Sequence, residues 1–177
     1  MGETSRNQTE KNRRTRMRIG EAIIALMEKC TLDEVRISQV VLKAHVSRMT
    51  FYHYYESKEA ALMDYLSELM LLFSEEAKER NINVTLGSVE HIEYSFQFYA
   101  RYENFLLRLE RSGCYNILID GINQFLEKNY TPVFGGKIYN LYFYAGALLN
   151  VFMMWLKNGR KETPSEIARI MHEGFIK

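Results

Sequence analysis

The chain has 177 residues, of which 47% are hydrophobic and 25% charged, with a formal net charge of +1. This balance is typical of a soluble globular protein and excludes wholesale disorder. Cys30 and Cys114 lie far apart and outside any Cys/His cluster, which excludes a disulfide framework and a structural zinc site. Residues 1–18 contain no apolar run of the kind found in secretory signals, so we expect a cytoplasmic protein.

Positive charge concentrates near the N-terminus. Residues 1–60 carry 11 Lys and Arg against 8 Asp and Glu, and between residues 6 and 18 six basic side chains face only Glu10. Such a basic arm indicates a polyanionic partner at one end of the molecule, although a solvated tail explains the charge equally well. Arg13, Arg14 and Arg16 are the side chains that we expect to reach phosphates or a minor groove.

Helical spacing dominates the first half of the sequence. Apolar residues between Ile19 and Cys30 recur at intervals of three and four, which predicts a first helix. Ser38 is a predicted N-cap for a short helix that ends near Ala44. Ser47 is placed to cap a second short helix over residues 48–54, and Ser57 to cap a longer helix that follows.

Helical spacing continues through the second half of the sequence. After a loop at residues 81–87, helices are predicted near 88–101, 103–110 and 114–128. Pro132 and two glycines mark a break before a long helix over residues 137–158. Thr163, Pro164 and Glu166 then form a strong helix start, with a capping box and proline at the first helical position. No alternating strand pattern occurs, so the predicted fold class is all-α.

Residues 38–58 have the layout of a helix-turn-helix, in which two short helices are joined by three residues. Phe51 and Tyr55, four residues apart, give the second helix an inward face. Its outward face would present long donors, a hydroxyl and phenols, which suit phosphates and base edges in a major groove. These outward residues are Arg48, Met49, Thr50, Tyr52, His53 and Tyr54. A purely structural helical hairpin is the alternative interpretation.

The stretch from Ile37 to Leu62 resembles the TetR family of bacterial transcription regulators. The similarity rests on Val46-Ser47 after the turn, on Thr50-Phe51-Tyr52 and its following aromatic residues, and on Lys58-Glu59. It covers about residues 11–66. Where the family usually has glycine in the turn, this chain has His45, a residue type that tolerates positive φ better than most.

The resemblance implies a domain organisation and a set of DNA contacts. Residues 1–65 would form a helix-turn-helix DNA-binding domain, and residues 66–177 a helical domain for effector binding and dimerisation. Tyr52, Tyr54 and Lys58 would contact phosphates, and Arg48, Met49 and Thr50 would face the bases. The full set of predicted DNA-binding residues is Ser38, Ser47, Arg48, Met49, Thr50, Tyr52, His53, Tyr54 and Lys58.

Aromatic residues are abundant after position 70, and some are candidates for an effector pocket. We name Tyr94, Phe98, Tyr102, Phe105 and Tyr115, although plain core packing explains such residues at least as well. No cofactor and no metal site are predicted, because the four histidines are scattered and no phosphate loop or nucleophile motif occurs. The sequence therefore favours a regulator over an enzyme.

Residues 138–156 contain no charged side chain and reach the length of a membrane span. Two asparagines and several scattered Tyr and Trp residues argue against insertion, and a helix packed on two sides has the same pattern. We therefore predict a homodimer formed by the last two helices. The predicted interface comprises Ala145, Gly146, Leu149, Phe152, Met153, Ile167, Ile170 and Met171.

Together these features predict a cytoplasmic, effector-responsive repressor that binds a palindromic operator as a dimer. The predicted partners are double-stranded DNA, a second copy of the chain and a small-molecule effector of unknown identity. A transcriptional activator of the same fold is one alternative. A helical interaction module that does not bind DNA is the other.

Overall fold

The computed structural model describes residues 3–83, 85–130 and 138–176. Within these ranges the chain is all-helical, as predicted, with nine α-helices, one 3₁₀ turn and no strand. The helices are α1 Glu3–Leu26, α2 Ile37–Ala44, α3 Arg48–Tyr54, α4 Lys58–Glu79, α5 Val89–Tyr99, α6 Glu103–Arg111, α7 Tyr115–Tyr130, α8 Ile138–Lys157 and α9 Pro164–Ile176, and the 3₁₀ turn is Ala100–Tyr102. The predicted break after Tyr130 falls on residues 131–137, outside the described residues.

Local capping signals mark where three of the helices begin, namely α3, α4 and α9. The Ser47 hydroxyl accepts from the Thr50 amide at 2.9 Å, and the Ser57 hydroxyl accepts from the Ala60 amide at 3.0 Å. The capping box at the start of α9 is confirmed, since the Thr163 hydroxyl accepts from the Glu166 amide at 3.2 Å and the Glu166 carboxylate accepts from the Thr163 amide at 2.7 Å.

The predicted N-cap at Ser38 is wrong. Helix α2 begins at Ile37, and Arg36 occupies the N-cap position. The Arg36 amide donates to the Gln39 side-chain oxygen at 3.0 Å. A glutamine three residues after the N-cap can accept from the N-cap amide whatever the N-cap side chain is. This bond outweighed the usual preference for serine at the N-cap, so the helix begins before Ser38.

The chain divides into two compact units that do not follow the linear sequence. Residues 1–68 together with 108–121 form the N-terminal unit, and residues 69–107 together with 122–177 form the C-terminal unit. The boundary expected at residue 65 is close to the first division. The segment 108–121, which we expected in the second domain, belongs instead to the N-terminal unit.

The N-terminal unit has a close-packed core in which two glycines allow helices to approach. Ile19, Ile23, Phe51 and Leu62 are among its fully buried side chains. A Cβ on Gly20 of α1 would lie 2.6 Å from the Tyr65 ring of α4, and a Cβ on Gly121 of α7 would lie 2.8 Å from Leu66. A side chain at Gly20 would therefore collide with the base of the Tyr65 side chain, whereas one at Gly121 would require the Leu66 methyl group to shift.

The C-terminal unit is built around α5, which packs on α9. Phe96 of α5 is fully buried, and its ring centroid lies 5.1 Å from those of both Phe152 and Trp155 of α8. The Trp155 indole N–H donates to the Glu162 carbonyl at 2.8 Å, which holds the connection between α8 and α9. Aromatic packing of this kind explains much of the aromatic excess in the second half.

Candidate nucleic-acid interface

Helices α2 and α3 meet at a tight turn centred on His45. This residue has φ 52° and ψ 49°, the left-handed conformation for which glycine is usual. The turn is held by the Val46 amide, which donates to the Val41 carbonyl at 3.0 Å, and by the Arg18 guanidinium, which donates to the His45 carbonyl at 3.1 Å. The helix-turn-helix geometry is therefore retained without glycine.

Helix α3 has one buried and one exposed face. Phe51 is fully buried and Tyr55 is 6% exposed, as the sequence predicts. On the other face Arg48 and His53 are exposed, Met49 is 83% exposed and Tyr52 is 58% exposed. These four side chains form the outer face of α3, and a guanidinium, an imidazole, a phenol and a thioether are together suited to groove and backbone contacts.

Other predicted DNA-binding residues have roles inside the protein. The hydroxyls of Ser47 and Thr50 lie 2.8 Å apart and are hydrogen-bonded to each other. Tyr54 is half-buried, and its hydroxyl donates to the Asn12 side chain of α1 at 3.1 Å. Ser38 is exposed on α2, in the first turn of that helix.

Lys58 is the clearest departure from the predicted role. Its ammonium donates to the carbonyl oxygens of Val35 at 2.9 Å and Asp33 at 3.2 Å, and also to that of Leu32. These three bonds use all three ammonium hydrogens. In this structure Lys58 therefore holds the segment that leads into α2, and a phosphate contact would require it to release at least one carbonyl.

We expect Lys58→Met to lower the free energy of unfolding and the affinity for DNA together. Three carbonyls would lose a charged donor, at roughly 1–3 kcal/mol for a charge-assisted bond. The dependence of affinity on salt should stay unchanged, as measured by a salt titration of binding. A slope reduced by about one unit with unchanged stability would instead show a direct phosphate contact.

The arginines of the basic arm are also paired within the protein. Helix α1 extends through the arm from Glu3. The Arg13 Nε atom lies 2.6 Å from the Glu68 carboxylate, and Arg16 pairs with Glu68 and, at 2.8 Å, with Asp64. Arg14 pairs with Glu10 one turn away, at an exposed position. The guanidinium groups of Arg13 and Arg16 bind carboxylates of α4, so the predicted contact with DNA would require them to leave these partners.

Three of the five predicted effector residues come together in the C-terminal unit. Tyr94 and Phe98 are buried in an apolar cluster with Phe73 and Ala77, and Tyr102 packs against its edge. Phe105 is buried in the same unit. Tyr115 belongs to the N-terminal unit, so it is not part of this cluster.

Charged side chains flank the aromatic cluster. The Glu76 carboxylate pairs with Arg80 at 2.6 Å and with Arg101 at 2.7 Å, and the hydrogen bond from Arg101 lowers the pKa of Glu76. The Arg101 guanidinium also lies 4.1 Å from the centroid of the Phe98 ring. Burial, with the negative charge of Glu76, raises the pKa of Tyr94.

A surface cleft of about 330 Å³ lies elsewhere in the C-terminal unit. Its lining is mainly the connection between α8 and α9: Gln97, Ala100, Trp155, Arg160, Lys161, Glu162, Thr163 and Pro164. None of the five predicted effector residues lines this cleft.

A buried His–Tyr pair joins α5 to α8 in the C-terminal unit. The Nδ1 atom of His91 lies 2.6 Å from the Tyr144 hydroxyl, and His91 is 5% exposed. Burial lowers the pKa of His91 to about 4, so the imidazole is neutral near pH 7.

We expect this histidine to make the free energy of unfolding depend on pH. The folded pKa lies below the unfolded value of 6.5, so the stabilisation is present above pH 6.5 and is lost as the pH falls toward 4. The loss should be roughly 3 kcal/mol. Chemical denaturation of the wild type and of His91→Asn between pH 4 and 7 measures it. Equal pH slopes for the two proteins would exclude this contribution.

The predicted dimer residues divide into two groups. Gly146 and Ile170 are exposed. The other six are buried within the chain's own unit, so they are not available as a surface: Ala145, Leu149, Phe152, Met153, Ile167 and Met171. The exposed apolar side of α8 instead carries Tyr139, Phe143 and Met154, which the sequence analysis did not name. Tyr139, Phe143 and Gly146 follow one another at intervals of four and three residues, and Met154 lies eight residues further on, which is the signal that identifies this side.

Among the described residues, no helix combines the length and apolar character needed to cross a membrane. The apolar segment in α8 is only partly buried within the C-terminal unit, and its exposed apolar residues include Tyr139, Phe143 and Met154. Within the same ranges, no group of three or more His, Cys, Asp or Glu side chains is placed to hold a metal ion.

A helix-turn-helix within an all-helical chain is a motif found in many DNA-binding proteins. Comparison with known families finds a match: residues 102–176 match TetR_C_8, the transcriptional regulator C-terminal region. The match supports the resemblance to TetR-family regulators over the C-terminal part of the chain.

Two solved structures share the fold. The fatty acid degradation regulator FadR from Bacillus halodurans is 16% identical with a TM-score of 0.55, over 88% of this chain and 91% of that one. The regulator FadR from Bacillus subtilis, solved in complex with stearoyl-CoA, is 18% identical with a TM-score of 0.54, over 89% of this chain and 95% of that one. No curated protein matches the chain significantly in sequence.

Proposed function

We propose that this protein is a DNA-binding repressor that reads a palindromic operator as a homodimer and releases it when a small molecule binds. The observation that carries the proposal is the outer face of α3. Arg48, Met49, Tyr52 and His53 point away from the core of the helix-turn-helix unit, and a large apolar side chain such as Met49 gains nothing from water. A major groove offers guanine acceptors to Arg48 and thymine methyl groups to Met49.

The exposed side of α8 supports a homodimer. Phe143 is 67% exposed, and Tyr139, Met154 and Ile170 of α9 are exposed as well. A Cβ added at Gly146, in the middle of this side, would meet nothing within 4 Å, so another helix has room to approach there. A two-fold axis would bring the same apolar patch onto itself and cover it. Two α3 helices would then face successive turns of one DNA groove.

The effector is proposed to bind in the C-terminal unit and to be largely apolar. The aromatic cluster around Phe73 and Phe98 favours an apolar or aromatic ligand portion. The FadR of Bacillus subtilis was solved with stearoyl-CoA, and the shared fold makes long-chain acyl-CoA a suitable first compound to test. A transcriptional activator remains the alternative, distinguished by a promoter–reporter assay with and without the gene.

The proposed function is tested by selecting binding sites from random duplex DNA with the purified protein. We expect an inverted repeat to be enriched. Arg48→Ala should cost about 1–3 kcal/mol and remove sequence preference at one position of each half-site. Arg111→Ala, an exposed arginine of the same unit outside the helix-turn-helix, is the control and should recover the full repeat. Enrichment of no sequence by the wild type would favour the interaction module over the regulator.

A further inference from the structure

A network of five charged and polar side chains ties α1, α3 and α4 together in the N-terminal unit. Glu68 of α4 accepts from Arg13 at 2.6 Å and from Arg16. Arg16 also donates to Asp64 at 2.8 Å, and the other Asp64 oxygen accepts from the Tyr55 hydroxyl at 2.6 Å. Asp64 and Glu68 are one turn apart, so they lie on one side of α4.

Burial makes this network different from an ordinary surface ion pair. Glu68 is 3% exposed, whereas the guanidinium groups of Arg13 and Arg16 are partly accessible. A carboxylate taken out of water is tolerated only where charged donors replace its hydration. Two arginines of α1 supply those donors, so the position of α1 is fixed against α4 by both charge and geometry.

Tyr55 connects the network to the DNA-reading helix. It occupies the C-cap position of α3, and its amide donates to the Phe51 carbonyl at 2.9 Å. Its ring is buried beside Phe51, with centroids 5.9 Å apart, while its hydroxyl binds Asp64. Burial and this bond to a carboxylate raise the pKa of Tyr55, so the hydroxyl remains a donor across the accessible pH range. The end of α3 is therefore bonded directly to α4.

We propose that Asp64 and Glu68 are positioning residues that set the orientation of α3 for operator recognition. The inference rests on the proposed function and names the side chains that hold the end of α3 in place. Asp64 holds Tyr55 and Arg16, and Glu68 holds Arg13 and Arg16. The two carboxylates therefore fix the end of α3 and the facing part of α1 together.

The test compares binding to the selected operator with binding to a scrambled duplex. Tyr55→Phe removes only the hydroxyl and keeps the buried ring. We expect operator affinity to fall about tenfold, in line with the loss of one charge-assisted bond, while affinity for the scrambled duplex and the salt slope stay unchanged. Asp64→Asn should give the same pattern. Asp120→Asn, at an exposed carboxylate of the same unit outside the helix-turn-helix, is the control and should leave both affinities at the wild-type value.

A positioning role lowers only the affinity for the operator, whereas a structural role lowers the affinities for both duplexes. If Tyr55→Phe lowers operator and scrambled affinities by the same factor, or leaves operator affinity unchanged, the proposal is overturned. A higher affinity for the scrambled duplex in Glu68→Gln, with a steeper salt slope, would show that Arg13 and Arg16 turn to the phosphates, and this would also overturn it. If the wild type selects no operator, the proposed function fails instead, so the two failures are distinguishable.

Discussion

Gly146→Leu is expected to abolish the dimer and, with it, operator binding. A leucine at this position enters the middle of the exposed side of α8, between Phe143 and Met154. Within its own chain the substitution meets no atom within 4 Å of the new Cβ, so the fold of the monomer has room for it. The damage should therefore be confined to the proposed subunit contact.

Loss of the dimer removes the second half-site contact. Linking two binding modules commonly raises overall affinity by a factor of about 10²–10⁴, and this factor should disappear for a palindromic duplex. Affinity for a duplex with a single half-site should change little. Analytical ultracentrifugation gives the subunit state, and a titration with the two duplexes gives the affinities.

Gly146→Ala is the matched control for the leucine variant. It adds one methyl group and improves helix propensity by about 1 kcal/mol, so it should keep the dimer and raise its stability. A wild-type protein that sediments as a stable monomer at micromolar concentration would contradict the proposed interface. So would a leucine variant that retains both the dimer and full operator affinity.

Phe51→Ala is expected to lower the stability of the fold, whereas Tyr52→Ala is expected to lower the affinity for DNA, although the two residues are adjacent. Phe51 is fully buried in the core of the N-terminal unit, and its loss should cost about 3–5 kcal/mol of unfolding free energy through lost burial and a residual cavity. Tyr52 is mostly exposed, so Tyr52→Ala should change stability by less than about 1 kcal/mol.

The affinity for DNA should depend directly on Tyr52, which contributes little to stability. Tyr52→Ala removes a proposed phosphate contact and should weaken operator and scrambled duplexes to a similar extent. Urea denaturation and binding titrations on both variants measure the two quantities. If Tyr52→Ala is instead the less stable variant, or binds DNA like the wild type, the assignment of the two faces of α3 is wrong.

The sequence by itself determined the class of fold and most helix limits. Helical spacing of apolar residues located the helices, and short-range capping signals at Ser47, Ser57 and Thr163 fixed where three of them begin. These features act over three or four residues, so they are readable without tertiary context. The motif around Phe51 likewise identified the helix-turn-helix and its inward face.

Tertiary structure decided which charges are available to a partner. Arg16 meets Asp64 and Glu68 about fifty positions away, and Lys58 binds carbonyls more than twenty positions earlier in the chain. The sequence of the basic arm and of the segment around Lys58 is the same whether these side chains face solvent or a buried acceptor. Only the packing of α1 and α4 distinguishes the two cases.

Tertiary structure also decided which faces of the last helices are buried. Helix α8 is apolar all round, so its sequence shows that two sides need cover but not which side meets its own core. Packing against α5 covers Phe152 and Trp155 and leaves Phe143 and Gly146 outside. Segment 108–121 joins the N-terminal unit for a similar reason, because the Arg108 guanidinium binds Glu28 and Gly121 fits closely against Leu66. Periodicity records how much of a helix is apolar, whereas long-range contacts assign each apolar face to a neighbour.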